Sequence, residues 1–477
     1  MTAQVRHSFY LFVVGFAVLV GVLAYWQVYA QKALADNPSN GLQTKRNVQS
    51  PRGVILAGDG TTVLAKSEKQ KDGSYKRVYP GGSLYSDVVG YWSQKYGATG
   101  VEIGENSNLS ATKQPETLDQ LINQFSGGPQ AGNNITLTLD PKLQKVAQDQ
   151  IAQSKTGRGS VVALDPRTGR VLALVSYPSY DPNNIDERFK QIRNDPNKPL
   201  LNRATQGLYT PGSIMKTITA AAALKSGIKP SDNYFDSGSY QAAPGSYRIT
   251  NYGGYRYGKV TFAEAYAKSL NVIFAKVAVQ TIHAQALYDM ARSFGFGDSY
   301  KDFPLPVTPS NMGPPPSKWD GNYLAAAAFG QAQVQTNTFE MAMMTAAIAN
   351  DGIMMEPQLV KEVRSSDGVI LDRPAPSERK RVIDARTDKT LTKMMHLVVT
   401  NEGTAPMGAI KGVQVAAKTG TAEVPGGAPN SWYIAFAPEK DPKIAIATLI
   451  ENGGDGEKAA LPATKKIMEE YLKENKK

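Results

Sequence analysis

From Phe9 to Trp26 the chain runs for 18 residues without a charged side chain, and that run constrains what the chain becomes more than any other stretch. A helix of that length at ~1.5 Å per residue rises ~27 Å, close to the ~30 Å of a bilayer's hydrocarbon core. A buried helix of a soluble domain fits poorly, because the segment has no polar face. The pattern predicts one transmembrane signal anchor over residues 9–29, with Arg6 before it and Tyr25, Trp26 and Tyr29 as an aromatic belt at its far end. Residues 1–8 then form a cytoplasmic tail, and the remainder is extracytoplasmic. A cleaved signal peptide is the competing reading, with Val28-Tyr29-Ala30 or Ala33-Leu34-Ala35 as small-residue sites, although its apolar region usually runs only ~7 to 15 residues.

Beyond Gln31 the chain turns polar, and residues 30–46, with Asn37-Pro38-Ser39-Asn40, read as a stalk. A small β-rich domain is expected over 47–132, with Val54-Ile55-Leu56 and Arg77-Val78-Tyr79 as strands and Ser126-Gly127-Gly128-Pro129-Gln130-Ala131-Gly132 as the linker that closes it. The larger domain, 133–477, opens with an alternating strand at Ile135 to Leu139 and an amphipathic helix from Leu143 to Ile151. Ser160 to Ser176, turning at Asp165-Pro166-Arg167-Thr168-Gly169, reads as a hairpin of a central sheet. Near the end, Leu461-Pro462-Ala463-Thr464 is similar to a sortase signal, but Lys465 follows and no second span comes after; it reads as the start of a last helix.

The chain has no cysteine and three histidines, His7, His283 and His396. That leaves no disulfide, thiolate nucleophile or zinc-thiolate site. No metal-ligand spacing is present, and no Gly-x-Ser-x-Gly elbow accompanies the histidines to support a Ser-His-Asp hydrolase. The net charge of +11 is spread along the chain. It reads as a solvated basic surface in preference to a site for anionic cell-wall or lipid surfaces, and nucleic acid binding has no other support.

Three short segments carry chemistry: Ser213-Ile214-Met215-Lys216, Ser269-Leu270-Asn271 and Lys418-Thr419-Gly420-Thr421. After the turn Thr210-Pro211-Gly212, the apolar residues Ile214, Met215, Ile218 and Leu224 stand in a run of Thr and Ala, predicting a buried helix with Ser213 at its mouth. Residues three apart share a helix face, so the Lys216 amine reaches the Ser213 hydroxyl. An ordinary Lys is a poor base at neutral pH; moving its pKa from ~10.4 to near 7 takes about 4 to 5 kcal/mol, which desolvation and a second cation can supply. The helix's free N–H groups, Ser213's included, suit an oxyanion. Ser269 follows a predicted helix, Phe262 to Ala267, and is placed to relay a proton while the Asn271 amide holds substrate backbone. Val413 to Ala417 alternates like a strand leading into Lys418; Gly420 there would let a peptide lie close alongside, with Lys418 and Thr421 facing its carboxylate. Taken singly, Ser213 reads as a helix cap, Lys216 as a solvated amine, Asn271 as a core hydrogen-bonding group and Lys418 as a strand-end charge; the ordered conjunction argues otherwise.

In that order the three segments resemble the Ser-x-x-Lys, Ser-x-Asn and Lys-Thr-Gly set of penicillin-binding proteins and serine β-lactamases. Further matches are Asn202-Arg203-Ala204, Phe329-Gly330-Gln331-Ala332-Gln333-Val334, Thr345 to Gly352, Gly403-Thr404-Ala405 and Trp432 to Pro438. Upstream, Pro51-Arg52-Gly53-Val54-Ile55, Tyr79-Pro80 and Gly97 to Glu102 resemble the non-catalytic N-terminal domain of class B penicillin-binding proteins, which favours that subclass and leaves a β-lactamase or β-lactam sensor as a lesser alternative. Two departures stand out: Ile214-Met215 replaces the frequent Thr-Phe, and Ala332 stands where Gly is usual.

The resemblance implies an α/β (α+β) transpeptidase fold with a central antiparallel sheet flanked by helices, and a dimerisation or pedestal-like domain before it. It implies a serine D,D-transpeptidase that cross-links peptidoglycan stem peptides through an acyl-enzyme on Ser213 and is trapped by β-lactams. Lys216 and Ser269 would be catalytic, Asn271, Lys418, Thr419, Gly420 and Thr421 would bind substrate, and the N–H groups of Thr421 and Ser213 would form the oxyanion hole. No metal or organic cofactor is implied. Implied partners are a separate glycan polymerase and membrane scaffold proteins. A D-Ala-D-Ala carboxypeptidase would share this site, and a non-enzymatic cell-wall scaffold is the alternative of a different kind.

Overall fold

The computed structural model describes residues 3–26, 50–110 and 131–475. The expected stalk, the 27–29 end of the expected anchor and most of the 126–132 linker lie outside these residues. Helix α1 (Ala3–Ala24) carries the apolar run, and every side chain from Phe9 to Trp26 is exposed. Among the described residues no helix is long and apolar enough to cross a membrane. The α-helical turns stop at Ala24, and Tyr25 and Trp26 open into a wider π turn. The uncharged α-helical part from Phe9 therefore rises only ~24 Å, short of the ~30 Å core. The expected full span is thus not present among the described residues.

The N-terminal module is built on β1 (Ile55–Leu56), β2 (Val63–Lys69) and β3 (Tyr75–Val78), paired antiparallel in sequence order. Strand β2 has no clear sequence signal, because its second half, Lys66-Ser67-Glu68-Lys69, is polar and only Leu64 and Ala65 are buried. Glu102 ties the module together: Arg52 Nε donates to it at 3.0 Å and Arg77 Nε at 2.6 Å, all three side chains being buried. Removing one member of such a group typically costs about 3–5 kcal/mol, since a charge is left buried and uncompensated.

Strand β4 (Asn134–Leu137) runs parallel to β1, with Ile135 opposite Ile55. Helix α2 (Pro141–Ala152) starts where the Asp140 carboxylate accepts from the N–H groups of Lys142 and Leu143. Its stripe Leu143, Ala147 and Ile151 is buried. Then β5 (Gly159–Leu164) and β6 (Val171–Tyr177) form the expected hairpin, with Val161 opposite Val175. Helices α3 (Lys216–Lys225), α4 (Phe262–Ala267), α5 (Asn271–Val277) and α6 (Thr338–Ala349) follow. The chain next returns to the first sheet through β7 (Val360–Arg364) and β8 (Ile370–Asp372), giving the order β8-β7-β4-β1-β2-β3. Val363 lies opposite Ile135, so two distant parts of the chain share one sheet.

After α7 (Ala385–Leu397) come β9 (Ala416–Ala422), β10 (Asn430–Ala437), β11 (Ile444–Ile450) and α8 (Ala460–Glu474). The central sheet is antiparallel throughout, in the order β9-β10-β11-β5-β6. Both faces are covered. Ser160 Oγ meets Thr338 Oγ1 of α6 at 2.7 Å, while Thr448, paired with Val161 and so pointing to the other face, meets Thr464 Oγ1 of α8 at 2.8 Å. Burial on both sides explains why β10 and β11 are fully buried, largely apolar runs and not alternating ones. Strand β9 is an edge. The sequence pattern places a strand before Lys418; the strand instead starts at Ala416 and contains Lys418 to Thr421.

Candidate active site

Ser213 and Lys216 lie where one 3-10 turn, Gly212–Met215, runs into α3. Close backbone packing seats this turn. Gly212 has φ 58°, and a Cβ there would stand 2.6 Å from the Thr421 carbonyl oxygen. Its N–H donates to Gly330 O at 2.9 Å, and Trp432 Nε1 donates to Thr210 O at 3.0 Å. Only Gly combines that φ with that approach. Helix α3 is buried from Lys216 to Ala223, as its run of Thr and Ala predicts. Lys216 is therefore not a solvated amine.

Ser269 and Asn271 occupy a junction between two helices. Helix α4 begins with a capping box between Thr261 and Glu264 and ends in a Schellman motif: Leu270 N–H donates to Ala265 O at 2.9 Å and Ser269 N–H to Tyr266 O at 3.0 Å. Ser269 fills the left-handed position of that motif, at φ 59°, where Gly is usual. A backbone held this way stores strain of about 1–2 kcal/mol. Asn271 then opens α5. Ala332 is also left-handed, at φ 59°, which accounts physically for the Gly usual at that position.

The two motifs converge on one amine. Lys216 Nζ lies 2.9 Å from Ser213 Oγ, 2.8 Å from Ser269 O, 3.1 Å from Ser269 Oγ and 2.6 Å from Asn271 Oδ1. Asn271 Nδ2 donates to Thr250 O at 3.0 Å, which fixes Oδ1 toward the lysine. Two of these partners, Ser269 O and Asn271 Oδ1, can only accept, and a neutral amine serves both with its two protons while its one lone pair faces the Ser213 hydroxyl. Electrostatics favour the same state, because burial first, and the Lys418 charge second, hold the Lys216 pKa well below the usual lysine value. An amine with its lone pair on Ser213 Oγ can take that proton.

Lys418 reaches in from β9. Its Nζ donates to Ser269 Oγ at 2.9 Å and to Thr419 O at 3.1 Å. The side chain is buried, not a strand-end charge, and burial lowers its pKa to about 7 against an opposing pull from Glu457. The Thr419 hydroxyl meets Thr404 Oγ1 at 2.9 Å, and Thr421 Oγ1 accepts from Gly456 N–H at 3.3 Å. Gly420 has a reason the sequence does not reveal. A Cβ there would lie 2.9 Å from Trp432 Cβ and 3.0 Å from Ile214 Cγ2, so its bareness lets the strand seat against the turn that carries Ser213.

The structure thus gathers Ser213, Lys216, Ser269, Asn271 and Lys418 into one hydrogen-bonded cluster, with Gly420 behind it and Thr419 and Thr421 bonded to neighbouring segments. It adds residues that spacing alone does not single out. Thr404 touches Thr419, while the rings of Tyr266 and Phe274 wall the two amines: Lys418 Nζ stands 5.7 Å from the first and Lys216 Nζ 5.8 Å from the second. Thr404 lies in the matched Gly-Thr-Ala segment; Phe274 gives no signal beyond an apolar helix position.

Comparison with known proteins agrees over most of the chain. The penicillin binding protein transpeptidase domain matches residues 159–469, and the penicillin binding protein A dimerisation domain matches residues 52–135. The peptidoglycan D,D-transpeptidase PbpA of Mycolicibacterium smegmatis is 35% identical over 477 residues, covering 95% of each chain. The peptidoglycan D,D-transpeptidase MrdA of Escherichia coli K12 is 30% identical over 460 residues, covering 84% of this chain and 71% of its own. Penicillin-binding protein A from M. tuberculosis, solved as an imipenem acyl-enzyme complex, matches with TM-score 0.84 and 35% identity over 89% of this chain and 99% of that one.

Proposed function

We infer the mechanism from one premise: this chain belongs to the class B-like penicillin-binding protein transpeptidases, and it is a peptidoglycan D,D-transpeptidase that forms an acyl-enzyme with β-lactams. The observation that carries the assignment of roles is the fully buried Lys216 amine lying 2.9 Å from the Oγ of the half-buried Ser213. Ser213 attacks the carbonyl of the penultimate D-Ala of a stem peptide and passes its proton to Lys216. The N–H groups of Ser213 and Thr421 hold the oxyanion. Ser269, between the two amines, relays the proton to the departing D-Ala nitrogen, which leaves Ser213 as an ester. An amine from a neighbouring strand attacks that ester and restores Ser213. Asn271 and the Thr419 to Thr421 edge hold donor backbone. Lys418 meets the donor carboxylate, and that negative charge favours its protonated form. The chemistry requires no cofactor.

Residues 9–29 are proposed as the membrane anchor, with 1–8 cytoplasmic, 30–46 a stalk, 47–132 the non-catalytic domain and 133–477 the catalytic domain outside the membrane. Support comes from the unbroken exposed apolar side chains of α1, a surface that water does not favour. A glycan polymerase and membrane scaffold proteins are the partners this reading expects.

A thioester analogue of the donor, offered together with an amino-acid acceptor such as glycine or a diamino acid, tests the reaction. Amide product should outcompete hydrolysis as acceptor concentration rises. Release by water alone with every acceptor would instead make the enzyme a carboxypeptidase.

A further inference from the structure

The segment between Asp236 and Lys259 turns an unusual set of side chains outward. Tyr247, Tyr252 and Tyr255 are 79%, 67% and 64% exposed, and Phe235 and Tyr257 are exposed beside them. Arg248 and Arg256 alternate with these rings, and residues 237–259 contain no Asp or Glu. Exposed aromatic groups in such numbers mark a contact surface more often than chance.

The rings stand on a built support. Asn251, itself buried, donates through Nδ2 to Asp236 Oδ2 at 2.8 Å and to Tyr255 O at 3.1 Å, and its Oδ1 accepts from Val272 N–H at 3.1 Å. Asp236, also buried, accepts from Tyr257 N–H at 3.0 Å. The neighbouring Thr250 carbonyl accepts from Asn271 Nδ2. The shelf is therefore bolted to the first turn of α5, and Thr250 is three hydrogen bonds from Ser213 Oγ through Asn271 and Lys216.

We propose that this tyrosine shelf seats the glycan strand that carries the stem peptide held in the cleft. The proposal rests on the transpeptidase reading. A stem of about five residues reaches at most ~17 Å when extended, so the sugar to which it is joined must lie near Ser213 whenever the peptide is in place. The shelf is joined to that site through the hydrogen bond between Thr250 O and Asn271 Nδ2. Amino-sugar rings present flat C–H faces that pack on tyrosine rings, while tyrosine hydroxyls remain free for sugar hydroxyls and amides. The two arginines, with no nearby acid on the segment, suit the carboxylates of adjacent stems.

The test uses the full chain and the variant Tyr247→Ser/Tyr252→Ser/Tyr255→Ser, which leaves Asn251 and Asp236 in place. Three rates are compared: acylation by penicillin, turnover of a sugar-free thioester donor, and cross-linking of polymerised glycan bearing stem peptides. The first two should stay within about twofold of wild type, while KM for the polymer rises about tenfold or more. Co-sedimentation with glycan stripped of its stems should weaken in parallel. An unchanged KM and unchanged sedimentation, or an equal loss on sugar-free and polymeric donors, would overturn the proposal. So would a shelf that binds anionic phospholipid vesicles and not stripped glycan. If wild type shows acylation but no transfer to any amine, the transpeptidase reading fails, and sedimentation alone still decides whether the shelf holds glycan.

Discussion

Lys216 and Lys418 share one hydroxyl: Ser269 Oγ lies 3.1 Å from the first amine and 2.9 Å from the second. Both side chains are fully buried. Two ammonium groups this close in a dry pocket repel, so a proton on Lys418 favours the neutral form of Lys216, the form able to accept a proton from Ser213 in the proposed mechanism.

Removing the Lys418 charge should therefore be visible at a distance from Lys418's own contacts. In Lys418→Met the pKa of Lys216 rises, because a cause that lowers it is gone. The acidic limb of the penicillin acylation profile should move to higher pH, on top of a lower maximum rate. Lys418→Arg should leave the limb near its wild-type position. Stopped-flow acylation across pH reads both; a limb that stays in place in Lys418→Met would contradict the coupling.

Ser269 sets strain against function. Its left-handed backbone suits Gly, so Ser269→Gly should gain about 0.5–1 kcal/mol of stability while acylation falls by about 10²-fold or more. Ser269→Ala should lose the same rate without the gain. Denaturation midpoints and fluorescent-penicillin labelling of the pair check this.

Gly420→Ala should damage the site without touching a reacting group. The new Cβ meets Trp432 and Ile214, and overpacking of this kind costs about 1–3 kcal/mol. Because Ile214 follows Ser213 on the same turn, acylation should slow by about tenfold or more. A variant that acylates at the wild-type rate would show that the contact is absorbed elsewhere.

A buried carboxyl outside the Ser213 hydrogen-bonded cluster governs part of the pH stability. Burial raises the pKa of Glu340 to about 8 from 4.5; Tyr300 Oη donates to its Oε1 at 3.0 Å, and its Oε2 has no partner. The folded state keeps a proton that the unfolded chain releases above 4.5, so this group's contribution is complete below that pH and is lost as pH rises to about 8. Glu340→Gln, which has no proton to lose, should gain on wild type by a few kcal/mol as pH rises from about 5 to 8, since each tenfold fall in proton concentration across that window costs the wild type about 1.4 kcal/mol. Melting temperatures of the two proteins at both pH values check the sign. An identical pH dependence would contradict it.

Short-range chemistry is legible from the residues; long-range pairing is not. Ser213 and Lys216 are three apart on a helix that its Thr and Ala run announces, and Ser269 and Asn271 flank one helix junction, so local spacing carries their geometry. The sequence puts Lys418 just after a strand because Ala, Lys and Gly weaken the strand signal of Ala416 to Ala422, and its true setting depends on pairing with β10. The pairing of Val363 with Ile135 leaves no local trace at all. Gly420 reads in sequence as room for a ligand, and sequence cannot show in addition that Trp432 and Ile214 close on it from its own chain.

The assignment of Ser213 as nucleophile is tested most directly by mass spectrometry of the penicillin G adduct after tryptic digestion. Cleavage after Arg203 and Lys216 yields the peptide Ala204 to Lys216, in which Ser213 is the only serine. The expected result is a penicilloyl group on Ser213 in that peptide and no adduct anywhere in Ser213→Ala. An adduct on another peptide, or one that persists in Ser213→Ala, would contradict the assignment.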